Sequence, residues 1–172
     1  SYRQDIKHKA DIAEEIARFY GYDKIKASAA KGTIEGKYTV RQKFNQKLSN
    51  TLTALGLNEI MTYSFISPKY YDKICMPKDY KLRKSVTISN PLGEDTSIMR
   101  TTAIPSMMEV LSKNYNNRND HAYLFETAKE YIPTTDDKLP LEKNVLTIGL
   151  YGKDIDFTNL KGILEDMLDA LS

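Results

Sequence analysis

The chain has 172 residues, 41% hydrophobic and 28% charged, with a formal net charge of +2, the balance of a folded protein with one respectable core. The mild charge gives no footing for broad contact with DNA, RNA or an anionic membrane, no apolar run reaches the length of a membrane span, and nothing in the opening residues reads as a signal peptide. Cys75 is the only cysteine, which excludes an intrachain disulfide and a cysteine-built zinc site and fits a reducing cytoplasm.

In chain order, residues 2–6 read as a short extended piece. Asp11 to Tyr20 follows with Ile12, Ile16, Phe19 and Tyr20 at helical spacing and Gly21 as a stop. "ASAAKGTIEGK" (27–37) is small, polar and aperiodic, so it is expected to link residues 1–26, the end of one unit, to a second unit from about residue 38. "TVRQKFNQKLSNTLTALG" (39–56) is the clearest helix, with Thr39 as cap, Val40, Phe44, Leu48, Leu52 and Leu55 as its apolar stripe, and Gly56 as its end. "LNEIMTYSFI" (57–66) alternates as a strand, and "SPKYYDKIC" opens a short helix with Ser67 as cap.

"SVTIS" (85–89) reads as a strand closed by the turn "NPLG". Residues 103–115 read as helix, 122–132 as strand, "TTDDKLP" as loop and 144–152 as strand. The last segment sets Phe157, Leu160, Ile163, Leu164, Met167, Leu168 and Leu171 on one broad apolar helical face. The order argues an α+β domain on a largely antiparallel sheet, with a helical scrap in front. A strand-like start and an uncapped final helix suggest a piece of a longer protein.

The acidic residues near the start pose a separate question. Asp11, Glu14 and Glu15 stand at i, i+3 and i+4, one face of a helix, with Asp5 just upstream. Asp11 and Glu14 make a capping-box variant whose charges suit the helix dipole. That leaves Asp5 and Glu15 unexplained, and hard oxygens gathered from a strand end and a helix face are what Mg²⁺ selects. One oxygen of Asp11 can cap while the other faces a cation.

"YRQDIKHKADIAEEIARFYGYDKI", "QKLSNTLTALGLNEIMTYSFIS", "ISNPLGEDTSIMRTTAIPSMMEVLSKNYNNRNDHAYLFE" and "DFTNLKGILEDML" together resemble consecutive blocks of bacterial phenylalanyl-tRNA synthetase β subunits. The resemblance covers nearly the whole chain. It implies a class II aminoacyl-tRNA synthetase-like antiparallel sheet flanked by helices over 38–172, preceded by the end of a winged-helix-like domain over 1–26. It implies a role in attaching phenylalanine to tRNA in which the α subunit binds ATP and the β subunit supplies the structural half of an α2β2 assembly, with tRNA met through the complete complex. It also implies that Asp5, Asp11, Glu14 and Glu15 bind a Mg²⁺ at the contact with the α subunit.

The residues themselves speak against chemistry in this segment. A class II site needs an arginine on a sheet strand for the α-phosphate, yet in "AYLFETAKEYI" Glu126 is flanked by Leu124, Phe125 and Thr127. None of the eight glycines falls in a G-x-G spacing, so no phosphate cradle is visible, and fixed positive charge is the largest contribution to phosphoryl chemistry. Phe44, Leu48, Leu52 and Leu55, with the strand "IMTYSF", are expected either to meet the α subunit or a second β module, or to pack on this domain's own sheet.

Arg100 reads as a relic-pocket residue or as a surface or salt-bridged arginine at a strand-to-helix turn. Lys113, Tyr115 and Arg118 offer an RNA contact or an asparagine-rich turn. His8, His121, Ser64, Ser67 and Lys161 lack catalytic partners. The alternatives to an assembly module are a free-standing carboxylate-adenylating ligase and an RNA-binding domain.

Overall fold

A computed structural model describes residues 3–29, 31–32, 36–134 and 139–172. Parts of the expected linker (30 and 33–35) and of the expected "TTDDKLP" loop (135–138) lie outside the described residues. The chain divides into two units, Ser1–Lys37 and Tyr38–Ser172; each is described by itself.

In the first unit, α1 (Lys9–Tyr20) starts two residues before its expected beginning and leads into a 3₁₀ turn, Tyr22–Lys24. Asp11 is therefore not the cap residue but the third helical position, and its carboxylate reaches back to the amides of Lys7 and His8 at 2.7 Å each. Two otherwise orphaned donors are satisfied by one side chain. Gly21 ends the helix at φ +103°, a conformation that costs glycine nothing.

In the second unit, α2 (Val40–Ala54) begins as the sequence predicts. Thr39 Oγ1 accepts from the Gln42 amide at 3.2 Å, and Gln42 Oε1 accepts from the Thr39 amide at 2.8 Å. Gly56 turns the chain away at φ +90°. The expected strand 57–66 becomes two short pieces, β1 (Asn58–Glu59) and β2 (Phe65–Ile66), because the segment changes neighbours midway. Then come α3 (Lys69–Lys73), β3 (Ile98–Met99), α4 (Ile104–Asn116), β4 (Ala122–Ile132), β5 (Leu141–Tyr151) and α5 (Phe157–Leu171).

The expected strand 85–89 reduces to a bridge between Thr87 and Ile98, held by Ile88 N–H to Ser97 O and Met99 N–H to Val86 O. Asp156 caps α5, its Oδ1 accepting from the amides of Thr158 at 2.8 Å and Asn159 at 3.3 Å.

The main sheet runs β1-β4-β5; β1 is parallel to β4, and β4 and β5 are antiparallel from Ala122↔Tyr151 to Ile132↔Leu141. Strand alternation assigns the two faces. Odd-numbered Phe125 packs with Leu48 and Leu52 of α2 and Met167 of α5, while even-numbered Ala122 and Leu124 pack with Met107 of α4. The sheet is thus covered by two helices on one side and one on the other. Full burial of a leucine such as Leu52 contributes about 1.5–3 kcal/mol.

Gly149 sits under α4, where a Cβ would lie 2.7 Å from Leu111 Cδ1. The Phe125 carbonyl accepts from Ile60 N–H, so odd residues of β4 turn their main-chain groups toward β1 and even residues toward β5. The register then points residues 142, 144, 146, 148 and 150 of β5 outward, and among the described residues no strand pairs with that edge.

Candidate functional sites: a buried arginine clasp, a cleft and an acidic face

Arg100 of the second unit is 2% exposed, as is Glu126. Period-two alternation places Glu126 on the α4 side of β4, after Ala122 and Leu124. A charge on that face needs a partner, and several residues supply one.

Arg100 Nη2 donates to Glu126 Oε1 at 3.0 Å, Nη1 to Thr62 Oγ1 at 2.7 Å and Nε to the Lys129 carbonyl at 3.0 Å. Thr62 donates its amide (3.1 Å) and its hydroxyl (2.8 Å) to the same carboxylate. Glu126 thereby accepts the strand amide that loses its ladder partner where the chain passes from β1 to β2. Of the two readings of Arg100, the salt-bridged arginine is what the geometry contains.

The sequence suggested neither Thr62 nor the pairing of Arg100 with Glu126. The available signal was a carboxylate in an otherwise apolar alternation, Ala122–Leu124–Glu126–Ala128. Beside the clasp, Tyr71 Oη bonds Ser85 Oγ at 2.7 Å and Thr101 Oγ1 at 2.9 Å, so the polar interior is internally satisfied.

Along Thr62 runs an open cleft of about 1070 Å³ between the 61–66 stretch and α4, lined by Met61, Tyr63, Phe65, Tyr70, Met108 and Lys113 among others. Met61 and Tyr63 are 95% and 83% exposed. On its wall Tyr70 donates to Glu109, and Lys73 reaches Glu109 at 3.2 Å. Burial and that hydrogen bond push the Tyr70 hydroxyl up to about 12. Burial opposes ionisation of Glu109, but Tyr70 and Lys73 outweigh it and hold the carboxyl below its ordinary value. The exposed lining is more apolar than polar, with Met61, Tyr63 and Phe65 on one wall, and Lys73 is tied to Glu109.

The expected interface stripe divides. Leu48 and Leu52 are core and Leu55 packs against them, whereas Phe44 stays 51% exposed beside exposed Val40. One stripe cannot both fill a core and meet a partner, so three of its four residues go inward.

Tyr115 meets Tyr151 edge-on at 5.9 Å, and Arg118 takes φ +61° in the turn after α4; of "KNYNNRND", residues 113–116 form the last turn of that helix and residues 117–120 lie beyond it. His121 meets Tyr123 edge-on at 5.9 Å, and His8 is exposed. Ser64 gives its carbonyl to the Arg100 amide at 2.9 Å, Ser67 Oγ accepts from the Lys69 amide at 3.3 Å, and Lys161 pairs with Glu165.

In the first unit Arg3 lies on Asp5, with Nε to Oδ1 at 2.9 Å and Nη2 to Oδ2 at 2.6 Å, and Nη2 also reaches Glu15 Oε1 at 3.0 Å. Arg18 takes Glu15 Oε2 at 2.6 Å. Arg3 holds the Asp5 carboxyl down to about 2, and Arg3 and Arg18 hold Glu15 below its ordinary value. Asp11 is occupied with the Lys7 and His8 amides, and Glu14 is exposed. The donors are hard oxygens, and Asp5 and Glu15 converge on the guanidinium of Arg3. Among the described residues, however, no three such ligands are gathered.

The chain is similar to the pyrrolysyl-tRNA synthetase PylSc of Desulfitobacterium hafniense, with a TM-score of 0.59 and 15% identity over 76% of this chain and 45% of that one. A second structure of pyrrolysyl-tRNA synthetase from the same organism also gives a TM-score of 0.59, at 16% identity over 74% of this chain and 46% of that one. The fold is therefore mixed α and β, a small sheet flanked by helices, similar to that of these two structures.

The chain belongs to the phenylalanyl-tRNA synthetase β chain family. The model of the phenylalanyl tRNA synthetase beta chain CLM domain matches residues 25–172, and that of the tRNA synthetase B5 domain matches residues 1–22. The phenylalanine–tRNA ligase β subunit of Clostridium tetani is 50% identical over the whole of this chain. That of Clostridium acetobutylicum is 46% identical over 99% of it, and that of Carboxydothermus hydrogenoformans 37% over 99%. The chain spans 22–23% of the length of these relatives.

Proposed function

We propose that this chain is the part of a phenylalanine–tRNA ligase β subunit that holds its α partner and performs no chemistry of its own. The observation that carries the reading is the Arg100–Glu126 pair. The guanidinium on the α4 side of the sheet is spent on an internal carboxylate, a threonine and a main-chain carbonyl, and a charge so committed does not stabilise a transferring phosphoryl group. ATP and phenylalanine are then used by the α subunit, and tRNA is met through the complete α2β2 complex in the cytoplasm.

The surface offered to the α subunit is the exposed part of the expected interface, Phe44 together with Met61 and Tyr63. Asp5, Asp11, Glu14 and Glu15 contribute to a magnesium site completed by the α subunit. Magnesium there neutralises carboxylates from both chains and so ties them together.

Pyrophosphate exchange with ATP and phenylalanine tests the division of labour. The 172-residue chain alone should give none, and exchange should appear when the α subunit is present with full-length β. Exchange by this chain alone would make it an adenylating ligase in its own right. Salt-dependent tRNA binding by this chain alone would favour an RNA-binding module.

A further inference from the structure

Between β1 and β2 the chain crosses from one sheet to the other, and the strand ladder is interrupted there. Bonds from residues 60, 62 and 64 take its place. Ile60 N–H donates to the Phe125 carbonyl at 2.8 Å, the Thr62 amide and hydroxyl both donate to Glu126, and the Ser64 carbonyl accepts from the Arg100 amide at 2.9 Å. The residues between them, Met61, Tyr63 and then Phe65, are exposed.

We infer that the clasp of Thr62 with Arg100 and Glu126 is a positioning device, which holds Met61 and Tyr63 in their outward pose before the α subunit binds. This role rests on the reading of Met61 and Tyr63 as α-contact residues. Successive residues of an extended chain alternate between faces, so pinning residue 62 inward turns 61 and 63 to the opposite side.

Thr62 suits the task because its hydroxyl works in both directions. It donates to Glu126 Oε2 at 2.8 Å and accepts from Arg100 Nη1 at 2.7 Å, while branching at Cβ narrows the choice of χ1. The two groups that grip it are themselves fixed. Both are 2% exposed, and Arg100 Nε donates to the Lys129 carbonyl of β4. The Arg100 main chain is pinned as well, since its carbonyl accepts from the Tyr131 amide at 2.9 Å. Arg100 thus ties the crossing segment to both sheets.

Side chains already held in the bound pose need no ordering on association. Without the hydroxyl, only a fraction of molecules present the row correctly at any moment, and the apparent affinity falls by that fraction. The loss then lies in the association rate, whereas removal of a direct contact raises the dissociation rate.

The test follows binding of purified α subunit to immobilised full-length β by surface plasmon resonance, with thermal midpoints recorded for each β variant. Thr62→Val keeps the shape and loses the hydroxyl. It should slow association about tenfold, as when a tenth of the molecules are competent, and leave dissociation within about twofold of the parent. Thr62→Ser should restore the rate, and Met61→Ala and Tyr63→Ala should speed dissociation instead. Hydrogen exchange of parent β needs no variant: the Thr62 amide should exchange as slowly as the middle of β4.

Unchanged rates in both Met61→Ala and Tyr63→Ala would overturn the α-contact reading, and the positioning role with it. Faster dissociation in those two, with Thr62→Val associating at the parent rate, would keep the contact surface and overturn the positioning role. Rapid exchange of the Thr62 amide, or no rescue by Thr62→Ser, would overturn that role too.

Discussion

The guanidinium of Arg100 lies 3.0 Å from a carboxylate oxygen of Glu126, the two residues being 26 positions apart in the chain and sealed from solvent. Breaking such a pair from one side strands the other charge in the interior, which costs about 3–5 kcal/mol. Arg100→Met and Glu126→Gln should each lower stability by that order in urea unfolding. The double variant Arg100→Met with Glu126→Met should be more stable than either single change, because no unpaired charge remains. Single variants within about 0.5 kcal/mol of the parent, the range of ordinary surface substitutions, would show that the pair is not dry.

The two ends of α2 should respond differently. Leu52 is 0% exposed, so Leu52→Ala should cost about 2–5 kcal/mol, and Leu52→Asp should unfold the second unit. Phe44→Asp should leave the circular dichroism spectrum of this chain intact and weaken capture of the α subunit. Loss of fold in Phe44→Asp would move that residue from the contact surface to the core.

Gly149→Ala should be disproportionately harmful for one added methyl. That methyl would stand 2.7 Å from Leu111 Cδ1 and 2.8 Å from Met107 Cγ, and overpacking of this kind costs about 1–3 kcal/mol. Leu111→Ala in the same chain makes room, so the double variant should lose less than the sum of the two single losses in thermal denaturation.

The cap of α5 gives a pH dependence of known sign. The Thr158 hydroxyl, followed by the Thr158 and Asn159 amides, holds the Asp156 carboxyl below its ordinary value of 3.8. The unfolded chain therefore binds this proton at higher pH than the folded one. The contribution of Asp156 to stability is complete above that unfolded value and is lost as pH falls past it and through the lower folded value. Thermal midpoints of the parent and of Asp156→Ala should differ at neutral pH and converge as the solution is acidified. A gap that stays constant to the lowest pH would mean that the capping charge is not what Asp156 provides.

Local signals proved legible and long-range ones did not. The start of α2 was readable because Thr39 and Gln42 stand at capping-box spacing beside a 3.6-residue stripe, and all of that information is local. The 57–66 stretch read as one strand because alternation reports which faces are apolar, not which neighbour supplies the hydrogen bonds. It divides where Thr62 takes a side chain in place of a ladder partner. Glu126 has no arginine beside it in its own strand; its arginine arrives from the strand-to-helix turn at residue 100, a contact no window of sequence contains. The spacing of Asp5, Asp11, Glu14 and Glu15 was visible, but the part played by Arg3 depends on how the 3–7 segment folds against α1.

The outer rim of β5 has a practical consequence. Its main-chain donors and acceptors from Glu142 to Leu150 stand ready to template another extended segment, and the half that carries Leu146, Ile148 and Leu150 has no lysine or proline to discourage it. Concentrated solutions of this chain will therefore be limited by ribbon-like self-stacking along that rim rather than by the near-balanced charge of the molecule.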